Sequence, residues 1–284
     1  MSDAPLAALE AFVRRHPRLF VLTGAGVSTA SGIPDYRDEG GQWKRPPPMT
    51  LQAFLATEAA RRRYWARSFA GWTVMGRAQP NTAHHALAQL QRQGWVAALV
   101  TQNVDGMHEA ADSQGVIDLH GRIDTVVCLA CGERTPRAAL QERLAAANPG
   151  WVARVVAIAP DGDAELTDTD TAGFAVPPCA RCGGLLKPDV VFFGEQVPRE
   201  RVHQAFEALA AADAVLVVGS SLMVWSGYRF VHAAAQAGQP VAALNQGRTR
   251  ADDLLALKLA APAGAVLASL AAALAKPPVS AASS

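Results

Sequence analysis

Short apolar runs punctuate the chain, and most of them end in glycine or polar residues. They are Arg18–Thr23, Trp95–Thr101, Val116–His120, Asp189–Phe193, Ala214–Val218 and Pro240–Leu244. Most are apolar almost without alternation, as a strand covered on both faces must be. Between them lie longer stretches with helical spacing. Asn81 stands as an N-cap for a helix through Gln93 that Gly94 closes, and Pro198–Ala212, Gly227–Ala237 and Ala265–Ala275 extend the series. Strands alternating with helices predict an α/β fold, a Rossmann-like parallel sheet with helices on both faces. Lys276–Ser284 reads as a frayed tail.

Two regions break the alternation. Residues 38–80 hold Pro46-Pro47-Pro48 and a helical stretch from Glu58 to Phe69, and residues 122–184 hold every cysteine and an acidic, threonine-rich run ending at Thr171. The expected organisation is a Rossmann-like domain from 1–37, 81–121 and 185–284. The helical excursion 38–80 and the cysteine-bearing excursion 122–184 are expected to pack together as a smaller domain.

The cysteines fall as Cys128-x2-Cys131 and Cys179-x2-Cys182, with 47 residues between the pairs. Two such pairs with no cysteine left over fit one tetrahedral zinc site, and two redox pairs or four buried thiols are the alternatives. Gly132, Gly183 and Gly184 permit tight turns that aim backbone amides at the sulfurs. Four thiolates leave no open coordination position, so the metal holds structure and does no chemistry.

Composition narrows the function classes. Half of the 284 residues are hydrophobic, enough for a proper core, and 26 Lys and Arg against 25 Asp and Glu leave a net charge of +1. A near-neutral chain has no bulk attraction to nucleic acid or anionic membranes. No apolar run has the length of a membrane span. The first residues carry Asp3 and Glu10 and no apolar signal core. The expectation is a cytoplasmic monomer that binds neither nucleic acid nor membrane.

Polar groups gather at the strand ends. Gly24-Ala25-Gly26-Val27-Ser28 follows the first run, and Ser31-Gly32-Ile33-Pro34-Asp35-Tyr36-Arg37 continues it. Thr29 stands where a full GxGxxG fingerprint needs its third glycine, and a lone GxG also fits a plain structural turn. Thr101-Gln102-Asn103-Val104-Asp105, Asp118-Leu119-His120-Gly121, Gly219-Ser220-Ser221 and Asn245-Gln246-Gly247 end four other runs. In a doubly wound sheet these ends face one crevice, where they converge on a dinucleotide.

With these motifs in order, the chain resembles the sirtuins, NAD-dependent protein lysine deacylases. GAGVSTASGIPDYR (24–37), TQNVD (101–105), LHG (119–121), the cysteine pairs, KPDVVFFGE (187–195), VGSSLMV (218–224) and LNQG (244–247) carry the resemblance. RYWARSFAGW (63–72), APDGD (159–163), SGYRF (226–230) and TRADDLLALKL (249–259) look like the class II branch. The resemblance implies that NAD and one structural zinc bind and that acyl-lysine proteins or peptides are the substrates. It implies His120 as general base, deprotonating a ribose hydroxyl so that it attacks an alkylimidate, a task suited to imidazole. Asn103 would position ribose and water, and Asp105 would grip the nicotinamide carboxamide. Gly24, Ala25, Gly26 and Ser28 would hold the diphosphate, and Asp35, Tyr36 and Arg37 would shape the nicotinamide side. Gln102, Gly219, Ser220, Ser221, Asn245, Gln246, Gly247 and Ala263 would complete the cofactor site. Cys128, Cys131, Cys179 and Cys182 would bind the zinc. The other six histidines receive no role.

Substrate residues come last. Val190, Phe192 and Gly194 belong to a segment that resembles the family's peptide-binding strand, where a substrate main chain adds alongside. Tyr64 and Arg67 lie at i and i+3 of the helical excursion and resemble a pair that holds a carboxylate on the acyl chain. The same NAD site could also serve ADP-ribosyl transfer to a protein nucleophile or a silent NAD-binding module. The presence of both His120 and Asn103 argues against the last.

Overall fold

The computed structural model describes residues 3–152, 154–167 and 171–275. Lys276–Ser284 and part of the acidic run therefore lie outside the described residues. The chain opens with α1 (Asp3–Arg15), β1 (Leu19–Thr23), α2 (Leu51–Ala56), α3 (Glu58–Met75), α4 (Thr82–Arg92) and β2 (Val96–Thr101). Next come α5 (Met107–Ala110), β3 (Ile117–Asp118), β4 (Gly121–Cys128), β5 (Arg134–Pro136), α6 (Arg137–Ala147), β6 (Arg154–Ile158), β7 (Ala164–Thr167) and β8 (Leu186–Val190). It closes with α7 (Arg199–Ala210), β9 (Ala214–Val218), α8 (Trp225–Gln236), β10 (Val241–Leu244), β11 (Leu257–Leu259) and α9 (Ala263–Ala273).

Six strands form one sheet in the order β11-β10-β9-β1-β2-β3, and every neighbouring pair is parallel. Leu19, Val21, Leu216, Val218, Ala242 and Leu244 pack towards α1, α4 and α9. Phe20, Leu22, Val215, Val217, Val241 and Ala243 pack towards α7 and α8. Successive side chains point to opposite faces, so two covered faces demand apolar residues at every position. That is why the runs lack alternation.

The expected strand over Asp189–Phe193 needs correction. The strand is Leu186–Val190, and it pairs antiparallel with β4 in a separate three-stranded sheet ordered β5-β4-β8. Beyond it the chain turns to other partners. The Val191 amide donates to His120 O at 2.7 Å, and Phe193 O accepts from the Leu51 amide at 3.0 Å. A short apolar run cannot reveal which sheet it joins. The elements α1, α2, α5, α6, β4–β7 and β11 have no counterpart among the predicted ones, and α3 runs six residues beyond the expected Phe69, to Met75.

The small sheet packs on α3 and α6 through Trp65, Tyr64, Leu140, Leu144, Phe174 and Leu186. Trp65 is fully buried, and its indole N–H donates to Leu186 O at 3.2 Å. The β6–β7 hairpin lies on α3 without clearance, since a Cβ on Gly71 would collide with the Gly162 carbonyl. Among the described residues no helix is long and apolar enough to cross a membrane.

Trp65 ties the helical excursion to the strand that leads into the crevice. Trp65→Ala removes a fully buried ring and leaves the Leu186 carbonyl without its donor. The expected loss is about 3–5 kcal/mol of stability in urea unfolding. A loss below about 1 kcal/mol would show that this packing contributes little.

Candidate active site and metal centre

The chain leaves β1 for β2 on one side, while β9 and β10 lie on the other. The carboxyl ends of β1 and β9 therefore flank a topological switch point, where open parallel sheets bind ligands. The turns that end these strands touch. The Gly26 amide donates to Gly219 O at 2.8 Å, and a Cβ on Gly26 would stand 2.9 Å from that oxygen. Gly219 has φ +60, where a side chain is strained. A cavity of about 1010 Å³ opens above these turns. This is the upper end of the usual range of about 300–1,000 Å³ for small-molecule sites. Every residue assigned above to the dinucleotide lines it, Ala263 included, as do His120, Tyr64, Val190, Phe192 and Gly194.

Hydrogen bonds fix the polar groups at the strand ends. Asn103 Nδ2 lies 3.2 Å from Gly24 O and 3.1 Å from Ser28 Oγ. A backbone carbonyl only accepts, so this atom is the amide nitrogen, and Oδ1 is left to receive a proton donor from a ligand. Ser28 Oγ donates to Asp105 Oδ2 at 2.7 Å, and the Met107 amide donates to Asp105 Oδ1 at 3.0 Å. Gln102 Nε2 donates to Thr23 O and to Ser220 Oγ, which bridges the ends of β1 and β9.

His120 is held at both ring nitrogens. Nδ1 lies 2.8 Å from the Gln102 carbonyl, and Nε2 lies 2.8 Å from Ser226 Oγ. The carbonyl cannot donate, so Nδ1 carries the proton and Nε2 presents a lone pair, which the Ser226 hydroxyl donates to. Burial, followed by the charges of Arg229 and Arg201, lowers the imidazole pKa to about 4, although the Gln102 carbonyl favours the charged form. At neutral pH the ring is a free base. Ser226 escaped the sequence reading. The structure explains its place through Gly227 beside it: a Cβ there would collide with the Gln102 side chain, so the start of α8 sits against the site.

Two other histidines without a sequence assignment lie just behind the crevice. His84 Nδ1 accepts from the Asn81 amide at 3.2 Å, closing a capping box in which histidine replaces the usual Glu or Gln. Its Nε2 faces Ser28 Oγ at 3.5 Å, and His108 Nε2 lies 2.9 Å from Thr23 Oγ1. Burial lowers their pKa values to about 4 and about 3. Both rings are therefore neutral packing elements under the glycine turn.

On the substrate side, Lys187 is nearly buried and anchors the segment after β8. Its ammonium pairs with Glu195 at 3.1 Å, and Glu195 Oε2 accepts from the Phe192 amide at 2.8 Å. One edge of the expected peptide strand is already engaged, because Phe193 pairs with Thr50 and Gly194 O accepts from Gln52. The pairing of Tyr64 with Arg67 across one pocket is corrected. Tyr64 lines the large cavity, whereas Arg67 lines an adjoining one of about 510 Å³ that shares Asp35, Tyr36 and Pro160 with it. The Arg67 guanidinium pairs with Asp163 at 2.8 Å and donates to Ala164 O at 2.8 Å. The hairpin turn at 159–163 accounts for this, since it packs on α3 and captures the arginine.

The four cysteine sulfurs all lie within 4.8 Å of one another. Cys128 and Cys182 sulfurs are 3.5 Å apart, and those of Cys131 and Cys179 are 3.9 Å apart. A zinc tetrahedron with Zn–S bonds of about 2.3 Å has edges of about 3.8 Å, so the donor set fits. The Cys131 amide, directed at Cys128, helps hold that thiol down at about 6. Such a thiol ionises readily for a metal.

Comparison with known proteins points the same way. Residues 24–226 match the Sir2 family. An NAD-dependent protein deacetylase of Bordetella bronchiseptica is 62% identical over 268 residues, spanning 94% of this chain and 97% of the relative. NAD-dependent protein deacetylase 2 of Bradyrhizobium diazoefficiens is 59% identical over 272 residues, spanning 95% and 100%. Among solved structures, a Sir2 homolog–NAD complex superimposes with TM-score 0.72 at 29% identity, covering 94% of this chain and 93% of that one. Sir2 bound to acetylated peptide gives TM-score 0.74 at 25% identity, covering 92% and 95%.

Two measurements test this geometry. Metal analysis should find one zinc per chain, and Cys179→Ser should lose it together with thermal stability, because structural zinc contributes folding energy directly. Metal-free protein of unchanged stability would contradict the centre. An NMR titration of the ligand-free protein should place His120 well below the ordinary value of about 6.5. The ring then stays unprotonated down to about pH 4. A midpoint near 6.5 would refute its burial as the dominant influence.

Proposed function

Because the chain belongs to the Sir2 family, we propose that it is an NAD-dependent protein lysine deacylase. It moves the acyl group of a modified lysine onto ADP-ribose and releases nicotinamide. NAD supplies the electrophilic ribose carbon and the leaving group, and the residues of this chain position it and move protons. The close approach of Gly26 to Gly219 leaves the backbone of both turns facing the crevice, where a diphosphate would lie. Asn103 has both amide protons committed, so Oδ1 accepts from a ribose hydroxyl or a water. Asp105, steadied at both oxygens, keeps lone pairs for a carboxamide N–H.

The observation that carries this reading is His120, with its tautomer fixed by the Gln102 carbonyl and its basic nitrogen at the cavity. Nε2 takes the proton of a ribose hydroxyl, in place of the Ser226 hydrogen bond. The resulting imidazolium keeps its Nδ1–H on the carbonyl, so no ring rotation is needed. The acetylated peptide bound by a Sir2 neighbour supports a peptide or protein substrate here.

The expected outcome for His120→Ala is a fall of at least about 100-fold in NAD-dependent deacetylation of an acetyl-lysine peptide. The melting temperature should change little, since the ring contributes a small part of the core. Full turnover by the purified variant would sink the assignment, as would wild-type nicotinamide release that ignores the acyl-lysine peptide.

A further inference from the structure

We propose that Arg122 is a positioning residue for the NAD reaction: its guanidinium clamps the turn that carries Asn103 and Asp105 against the β3–β4 turn that carries His120. The inference rests on the deacylase reading above. Asp105 receives the Met107 amide on Oδ1, so its carboxylate follows the start of α5. Gly106, between them, has φ +71 and leaves no room for a side chain, because a Cβ there would collide with the Arg122 guanidinium. The arginine comes from β4, two residues after His120. Next to it the Ile123 amide donates to Val104 O at 2.9 Å. The turn 103–106 is therefore gripped from β4 by one backbone bond and one guanidinium.

That guanidinium meets carboxylates from three elements. Nη1 pairs with Glu109 of α5 at 2.7 Å and with Asp118 of β3 at 3.6 Å, and Nη2 pairs with Asp124 of β4 at 2.6 Å. Burial and the Glu109 charge push the Asp118 carboxyl up to about 7, against the pull of Arg122, so the pairs with Glu109 and Asp124 carry the clamp at neutral pH. Glu109 ties the arginine to the helix whose first amide fixes Asp105, and Asp124 fixes the arginine to its own strand. The large cavity is lined by Asp105 and not by Arg122, so the arginine acts through the carboxylate it helps to place. One planar fork can serve several carboxylates at once, whereas an ammonium cannot span them.

The bland role for Arg122 is to hold β4 to the body of the protein, and its loss would then lower stability and leave the two substrates affected alike. The experiment measures KM for NAD, KM for an acetyl-lysine peptide and the product-inhibition constant of nicotinamide. It compares wild type, Arg122→Gln and Arg122→Lys, each well below its melting temperature. Arg122→Gln should raise the NAD KM and the nicotinamide constant at least about tenfold each and leave the peptide KM within about twofold. Arg122→Lys keeps the charge and loses the fork, and should raise the two NAD-side constants about threefold. Wild-type constants in folded Arg122→Gln, or a rise shared equally by the peptide KM, overturn the proposal. Should Arg122→Gln fail to fold, wild-type constants in Arg122→Lys overturn it. A wild type with no NAD-dependent turnover of the peptide overturns the deacylase reading itself, and this inference with it.

Discussion

No side chain fits between the turns that end the two central strands. Gly24 is closed off by Ser220, and Gly26 and Gly219 press on each other's backbone. This contact draws the carboxyl ends of β1 and β9 together at the switch point, and the other strand ends then share one crevice. Gln102, from the end of β2, reaches across to Thr23 O and Ser220 Oγ and secures the arrangement. The crevice thus follows from backbone approach, which any larger residue at these glycines would pry apart. The two helical layers that bury the sheet make the approach rigid, because no strand can shift without disturbing a packed face.

Within that frame, the direction of each proton is dictated by groups that can act in only one sense. Gln102 O can only accept, which puts the proton of His120 on Nδ1. The Asn81 amide can only donate, which puts the proton of His84 on Nε2. Ser28 receives the Asn103 amide and gives its own proton to Asp105. A site wired by backbone carbonyls and amides holds its tautomers without relying on charged partners. Burial then keeps the imidazoles neutral. A neutral ring with a committed Nδ1–H is what a general base requires, and it owes this state to position in the fold more than to any carboxylate beside it.

Much of this was legible in the sequence, for identifiable reasons. A strand covered on both faces must be apolar throughout, so the central strands announced themselves, and parallel order placed their polar ends together. Cysteine spacing is equally direct, because one metal must gather all four sulfurs. Legibility failed where a residue's role depends on a partner far along the chain. The run Asp189–Phe193 has strand chemistry, yet only the presence of β4 decides that β8 joins the antiparallel sheet and that its continuation hands over to His120 and Leu51. Ser226 lies more than a hundred residues from His120, and no local pattern marks it. The antiparallel strands β4–β7 belong to two small sheets, β5-β4-β8 and β6-β7, and their mixed polarity removes the signal that identified the central strands.

The Tyr64–Arg67 pair shows the same limit at finer grain. Helical spacing places two side chains on neighbouring parts of one face, but what packs on that face decides whether they share a pocket. Here the turn of the β6–β7 hairpin packs on α3 and meets both. Gly71 and Gly162 allow contact so close that the turn reaches both side chains, with Pro160 and Asp161 lining the large cavity beside Tyr64 and Asp163 pairing with Arg67. The turn also carries its own charges: Asp163 pairs with the arginine, and both Asp161 and Asp163 act electrostatically on Tyr64. Asp163 ties the hairpin to the helix, so the partner of Arg67 is set by a residue far along the chain and not by helical spacing.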